Sequence, residues 1–173
     1  MSDANMMTLC QEGYDPDQDP HLLREWLVTN GLGGYASGTV IGSITRRYHG
    51  LLVAALPNPL GRVMMLNGLS ERLRLPNRRV VYTGAEELAG VAPENVYPLT
   101  AFRLDHGLPV WRYEIDGFVL EKRLLMPYQQ NTVHVTYRLL HGEGVLRVNL
   151  RPAMQFRSHD ALVEPLQPAS YRL

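Results

Sequence analysis

An all-β, antiparallel β-sandwich is the fold class that this sequence predicts, on three observations. Several segments alternate apolar and polar residues with period two. Asp-Gly and Asn-Gly dipeptides, which supply the positive φ angles of tight hairpins, stand between them. No stretch of ten residues or more carries a convincing amphipathic-helix pattern, and alternating strands joined by short turns indicate antiparallel pairing.

In chain order, residues 1–23 form an irregular lead-in, where Asp15-Pro16-Asp17-Gln18-Asp19-Pro20 disfavours helix and favours turns. The sandwich domain is assigned to 24–173. Residues 25–29 offer a first strand. Residues 63–66 and 69–75 read as a hairpin turning at Asn67-Gly68, with Pro76-Asn77 closing its second strand. The segment 84–100 holds two Pro, two Gly and three Glu without clean periodicity, and reads as a long crossover or a loop with one helical turn. Residues 110–116 place Trp111, Tyr113 and Ile115 on one face and Arg112, Glu114 and Asp116 on the other. Asp116-Gly117 turns the chain and 118–126 returns. Residues 132–139 put Val133, Val135, Tyr137 and Leu139 on one face, Gly142-Glu143-Gly144 turns again, and Leu146, Val148 and Leu150 continue the pattern. Strands at 145–151 and 161–164 end the reading.

At 173 residues, a chain of this length buries roughly 70% of its unfolded surface, so one self-sufficient core is feasible. Hydrophobic residues at 45% and charged residues at 20% exclude disorder and fibrous repeats. The formal net charge is zero, which removes the long-range field that nucleic-acid and anionic-membrane binders use. No nucleic-acid or membrane partner is expected. Lys122 is the single lysine among 17 basic residues, a skew that coding bias explains as well as arginine's bidentate and stacking chemistry does. Cys10 is the single cysteine, so nothing demands an oxidising compartment. The first ten residues lack a basic and apolar leader pattern, and no run approaches 18 apolar residues; a cytoplasmic location is the expectation.

Two motif matches fail on their own chemistry. Gly31-Leu32-Gly33-Gly34-Tyr35-Ala36 satisfies the dinucleotide-binding glycine pattern, but neither the amphipathic helix nor the acidic residue about 20 positions on follows. Asp15, Asp17 and Asp19 imitate the first ligands of a calcium loop, but Pro20 stands where glycine is needed and Trp26 where the bidentate Glu belongs. The His residues lack metal-ligand spacing, so no metal and no cofactor is expected. Glycoside hydrolysis needs two facing carboxyl groups, one with a raised pKa. Nothing in the spacing of the acidic residues selects such a pair; Glu71, Glu114 and Glu121 sit on strands where an exposed or salt-bridged carboxylate is ordinary.

The most informative stretch is 25–50, Glu-Trp-Leu-Val-Thr-Asn-Gly-Leu-Gly-Gly-Tyr-Ala-Ser-Gly-Thr-Val followed by Ile-Gly-Ser-Ile-Thr-Arg-Arg-Tyr-His-Gly. Glycines, aromatics, an Arg pair and a His concentrate there, a mixture that suits a binding surface. The stretch closely resembles the signature of the N-terminal domain of bacterial and archaeal glycogen debranching enzymes of the amylo-α-1,6-glucosidase type. The resemblance continues in Leu-Leu-Val-Ala-Ala-Leu (51–56), Leu-Glu-Lys-Arg (120–123), Gln-Asn-Thr-Val (130–133) and Leu-Arg-Pro (150–152), and so covers most of the chain in order. It implies a supersandwich-like β-sandwich, incomplete at its C-terminus, whose enzymes are cytoplasmic glycosidases of glycogen catabolism. In that family the catalytic acid and base lie in a C-terminal (α/α)6 barrel, absent from this chain, so the segment alone is expected to be inactive. The implied partners are an α-glucan or maltooligosaccharide and the barrel, in cis or as a separate chain, with self-association through an open edge.

Sugar recognition uses aromatic faces for stacking and planar polar groups for paired hydroxyls. Asn30, Tyr35, Arg46, Arg47, Tyr48 and His49 supply those types and are the candidate substrate-binding residues. Two readings stay open for them, sugar contact and bracing of the missing barrel. If 46–49 is extended, adjacent side chains point to opposite faces, and Arg46 with Tyr48 should behave differently from Arg47 with His49. A free-standing carbohydrate-binding module and a structural interaction domain are the alternative functions. Trp26 and Trp111 are read as core residues.

Overall fold

The computed structural model describes residues 7–8, 24–83, 96–97 and 99–161. Among them the chain forms twelve strands and no helix: β1 (Met7–Thr8), β2 (Glu25–Thr29), β3 (Tyr35–Thr39), β4 (Gly50–Ala55), β5 (Arg62–Arg74), β6 (Val80–Thr83), β7 (Val96–Tyr97), β8 (Ala101–Asp105), β9 (Leu108–Ile115), β10 (Phe118–Leu125), β11 (His134–His141) and β12 (Arg147–Ser158). One sheet has the order β1-β8-β9-β10-β11. The other runs β2-β3-β4-β5-β6-β7, with β12 paired to β5. All pairings are antiparallel except β6 with β7, which is parallel. A parallel pair requires a crossover, as read for 84–100, whose residues 84–95 and 98 lie outside the described ones.

The Asp116-Gly117 hairpin forms as predicted: both residues adopt positive φ, and Ile115 faces Phe118. The Asn67-Gly68 hairpin does not. β5 runs straight through both residues, and the register passes from Gly68↔Ala153 to Leu66↔Met154, which leaves Asn67 as the extra residue of a bulge. Both edges of β5 explain this. β12 occupies one edge from Val63 to Arg74, so β4, paired at 62–66, and β6, paired at 71–74, must share the other in succession. A strand held on both sides cannot fold back on itself. Pro152 is tolerated in β12 because that strand has one partner among the described residues and forms a sheet edge. Of the last two predicted strands, 145–151 falls mostly within β12, whereas 162–164 lies outside the described residues.

The sheets close on a core drawn from both. Trp26 of β2 meets Trp111 of β9 edge to face, with centroids 5.3 Å apart, and Phe102 packs on Trp111 at 5.7 Å. Both tryptophans are buried, and their indole N–H groups donate to the carbonyls of Thr39 (3.1 Å) and Val40 (2.7 Å), so burial leaves no donor unmatched. Gly38, opposite Trp26 in register, lies under the indole ring. One ion pair joins the sheets through this core. Lys122 Nζ of β10 lies 2.5 Å from Glu71 Oε1 of β5, which also accepts from Tyr137 Oη at 2.5 Å, while Thr83 donates to Oε2 at 3.0 Å.

Candidate functional site

Residues 25–50 fold as a β-hairpin followed by a turn-rich excursion into β4, which excludes the strand–helix order of a dinucleotide site. Gly31-Leu32-Gly33-Gly34 makes the hairpin turn, with Gly31 and Gly33 at positive φ and Asn30 N–H donating to Gly34 O at 3.2 Å. Gly34 is required by space as well: a Cβ there would lie 2.7 Å from Asn30 Nδ2 and 2.9 Å from Val53 O. Along β2, Trp26 and Val28 point into the core while Glu25, Leu27 and Thr29 point out. This outward face carries a cleft of about 430 Å³ lined by Glu25, Leu27, Tyr35, Ser37, Tyr48 and Arg62, with Thr29 and Gly33 beside them.

The six candidate residues divide. Asn30 is fully buried; its Oδ1 accepts from Leu32 and Gly34 N–H, both at 3.0 Å, and its Nδ2 donates to Gln130 O (2.9 Å) and Asn131 Oδ1 (3.1 Å). Asn131 in turn exchanges two hydrogen bonds with Ala55, at 2.9 and 2.7 Å. The pair therefore stitches the β2–β3 turn to β4 and to the segment joining β10 and β11. His49 is also interior, 1% exposed. The Thr45 amide donates to its Nδ1 at 3.3 Å, which places the proton of the neutral ring on Nε2, facing Glu25 Oε1 at 3.4 Å. Burial holds the His49 pKa below its ordinary 6.5, outweighing the pull of Glu25.

Arg46, Arg47, Tyr48 and Tyr35 lie at the surface or partly so. The stretch 46–49 is a turn closed by His49 N–H on Arg46 O at 3.0 Å, so the opposite-face alternation expected of an extended segment does not apply. Even so, Arg46 and Tyr48 act together. Arg46 lies 6.0 Å from the Tyr48 ring centroid and pairs with Glu25. The hydrogen bond from Arg46 lowers the Glu25 pKa. Tyr35 Oη donates to Tyr48 O at 3.1 Å, and burial pushes its phenol pKa up. The Arg47 carbonyl accepts from Arg157 of β12, and Arg62 Nε donates to Gly33 O at 2.6 Å on the cleft rim.

Three contributors escaped the reading of residue types: Glu25, Arg62 and Asn131. The signal for Asn131 was present, since 130–133 was one of the matching segments. Elsewhere Glu71, Glu114 and Glu121 are salt-bridged, one of the two ordinary states read for them. Glu114 meets Arg112 at 3.0 Å, and Glu121 meets Arg103 at 2.9 Å and Arg123 at 2.6 Å. Burial alone would raise the Glu121 pKa, but hydrogen bonds from Arg123 and Arg103 outweigh it and hold it low. Glu25, Asp105 and Asp160 are also lowered, the last two first by hydrogen bonds from His106 and Ser158. A general acid needs the opposite shift. Among the described residues no group of three His, Cys, Asp or Glu is placed to hold a metal, and no helix is long and apolar enough to cross a membrane.

The comparison with known families decides the lineage: the model described as "Glycogen debranching enzyme N terminal" matches residues 24–171. The chain belongs to this family. The match takes in every described strand from β2 to β12, and with them the cleft, in agreement with the resemblance carried by 25–50. No curated protein and no solved structure matched the chain.

Proposed function

We propose that the chain is the non-catalytic N-terminal β-sandwich of a cytoplasmic glycogen debranching enzyme, which supports and partly lines an α-1,6-glucosidase site used in glycogen catabolism. The observation that carries the reading is the cleft on the outward face of β2 and β3. It combines aromatic faces from Tyr35 and Tyr48 with the forked polar groups of Arg62 and the Glu25–Arg46 pair, the chemistry suited to stacking and paired hydroxyls of an α-glucan. Arg46, Arg47, Tyr48 and Tyr35 are the proposed contacts. Asn30 and His49 support the same surface from inside, and in this reading reach sugar only through the backbone they position.

The hydrolytic acid and base are assigned to a separate helical barrel, in cis or as another chain. Among the described residues β11 and β12 each pair with one strand only, which favours this over a free-standing binding module. The test is glucose release from a limit dextrin. The purified chain should release none, and addition of the barrel-bearing part should produce activity. Dose-dependent release by the chain alone would contradict the assignment.

A further inference from the structure

We propose that the notch between the β5–β6 turn and the start of β12 is an oxyanion site that takes a phosphomonoester dianion. The notch measures about 260 Å³ and is lined by Arg74, Leu75, Pro76, Arg78, Val145 and Arg147. Arg74 and Arg147 are direct cross-strand partners, so their side chains rise from the same face with Cβ atoms roughly 5 Å apart. Like charges placed so repel unless a counter-charge joins them. None comes from this protein among the described residues: Arg74, Arg78 and Arg147 make no ion pair or side-chain hydrogen bond, and nearby Asp116 is engaged by Arg79 at 2.8 Å. Glu143, in the turn before β12, is exposed and pairs with none of the three.

Arg78 adds an independent sign. It sits at φ 68°, a conformation that favours glycine, within a turn closed by Arg78 N–H on Leu75 O (3.0 Å) and Leu75 N–H on Arg79 O (2.9 Å). A long cation occupies a position where glycine would relax the backbone, and Arg78 is one of the residues that line the notch.

The number of forks selects the ligand. One guanidinium saturates the two oxygens of a carboxylate, whereas three match the three terminal oxygens and near −2 charge of a phosphomonoester. Pro76 and the exposed Val145 leave an apolar rim for the carbon side of the ester.

Titration calorimetry on the 173-residue chain at 0.15 M salt tests this with inorganic phosphate, a hexose monophosphate and acetate. Phosphate is expected to saturate one site, more tightly at pH 7.5 than at pH 5, because free phosphate and its monoesters are mostly dianions at the higher pH and monoanions at the lower. Arg78→Gly should weaken phosphate about tenfold with an unchanged or raised melting temperature, and Arg147→Gln should weaken it similarly. Tighter binding of the hexose monophosphate assigns the site to an organic ester, and equal binding to free phosphate; both support the proposal. Acetate binding as tightly as phosphate, no phosphate binding, or full binding by Arg78→Gly would overturn it.

Discussion

Lys122 shows how one residue ties the two layers. Glu71 accepts from Lys122, Tyr137 and Thr83, and Lys122 Nζ also lies 5.5 Å from the Trp111 ring centroid, so its charge meets both a carboxylate and an aromatic face. Burial pushes the Tyr137 and Tyr113 phenols far up, with the Glu71 charge adding to it, so both stay neutral and Tyr137 keeps the proton it donates to Glu71. Removing one partner strands a buried charge, which costs about 3–5 kcal/mol, whereas replacing both with apolar residues is far less damaging. Lys122→Met should therefore lower stability in urea unfolding by that amount, with Glu71→Leu/Lys122→Met recovering part of it. His49 makes a pH-dependent contribution. Its folded pKa is below 6.5, so between the two values the unfolded chain binds more protons than the folded one. Its contribution is present above pH 6.5 and lost as pH falls through the folded value. Unfolding free energy should drop between pH 7 and pH 5 more in the parent chain than in His49→Gln; equal drops would contradict the interior, neutral assignment. The types of Tyr48 and Arg46 were legible because surface aromatics and cations keep their chemistry. The roles of Asn30 and Glu25 were not, since their partners, Asn131 and Arg46, come from distant chain positions.

At the scale of elements, legibility depended on how local the determinant was. Asp116-Gly117 carries its own turn, because both residues need positive φ and nothing outside the hairpin intervenes. Asn67-Gly68 carries the same letters, yet pairing with β12, some eighty residues later, converts it into a bulge. β3 was hidden inside a glycine-rich block whose glycines serve a tight turn and close packing under Trp26. Among the described residues the last strands have unpaired edges. β11 pairs with β10 alone and β12 with β5 alone among the described residues, and Leu139, Leu140, Leu150 and Met154 are exposed along them. Such edges template pairing with another chain. The isolated chain is expected to self-associate in concentration-dependent light scattering, and Leu150→Lys/Met154→Lys to shift it toward monomer. A parent chain monodisperse at high concentration would argue that the edges are protected.

For the whole molecule, the two facing sheets were legible from alternation, whereas the cleft was not, because it arises where β2, β3, the 46–49 turn and Arg62 converge. Convergence divides the central block into an exposed set, Tyr48 with Arg46, and an interior set, Asn30 with His49. Loss of an exposed contact should reduce binding and spare the fold; loss of Asn30 orphans Leu32 N–H, Gly34 N–H and Gln130 O together and should strike the fold first. The decisive measurement is maltooligosaccharide affinity, paired with melting temperature, for the chain together with its proposed barrel partner and for the Tyr48→Ala and Asn30→Ala variants of that assembly. Tyr48→Ala should weaken binding by about 1–3 kcal/mol with little change in melting temperature, and Asn30→Ala should lower the melting temperature. Unchanged affinity in Tyr48→Ala, with stability lost in both variants, would show that this face braces the fold and does not meet the glucan.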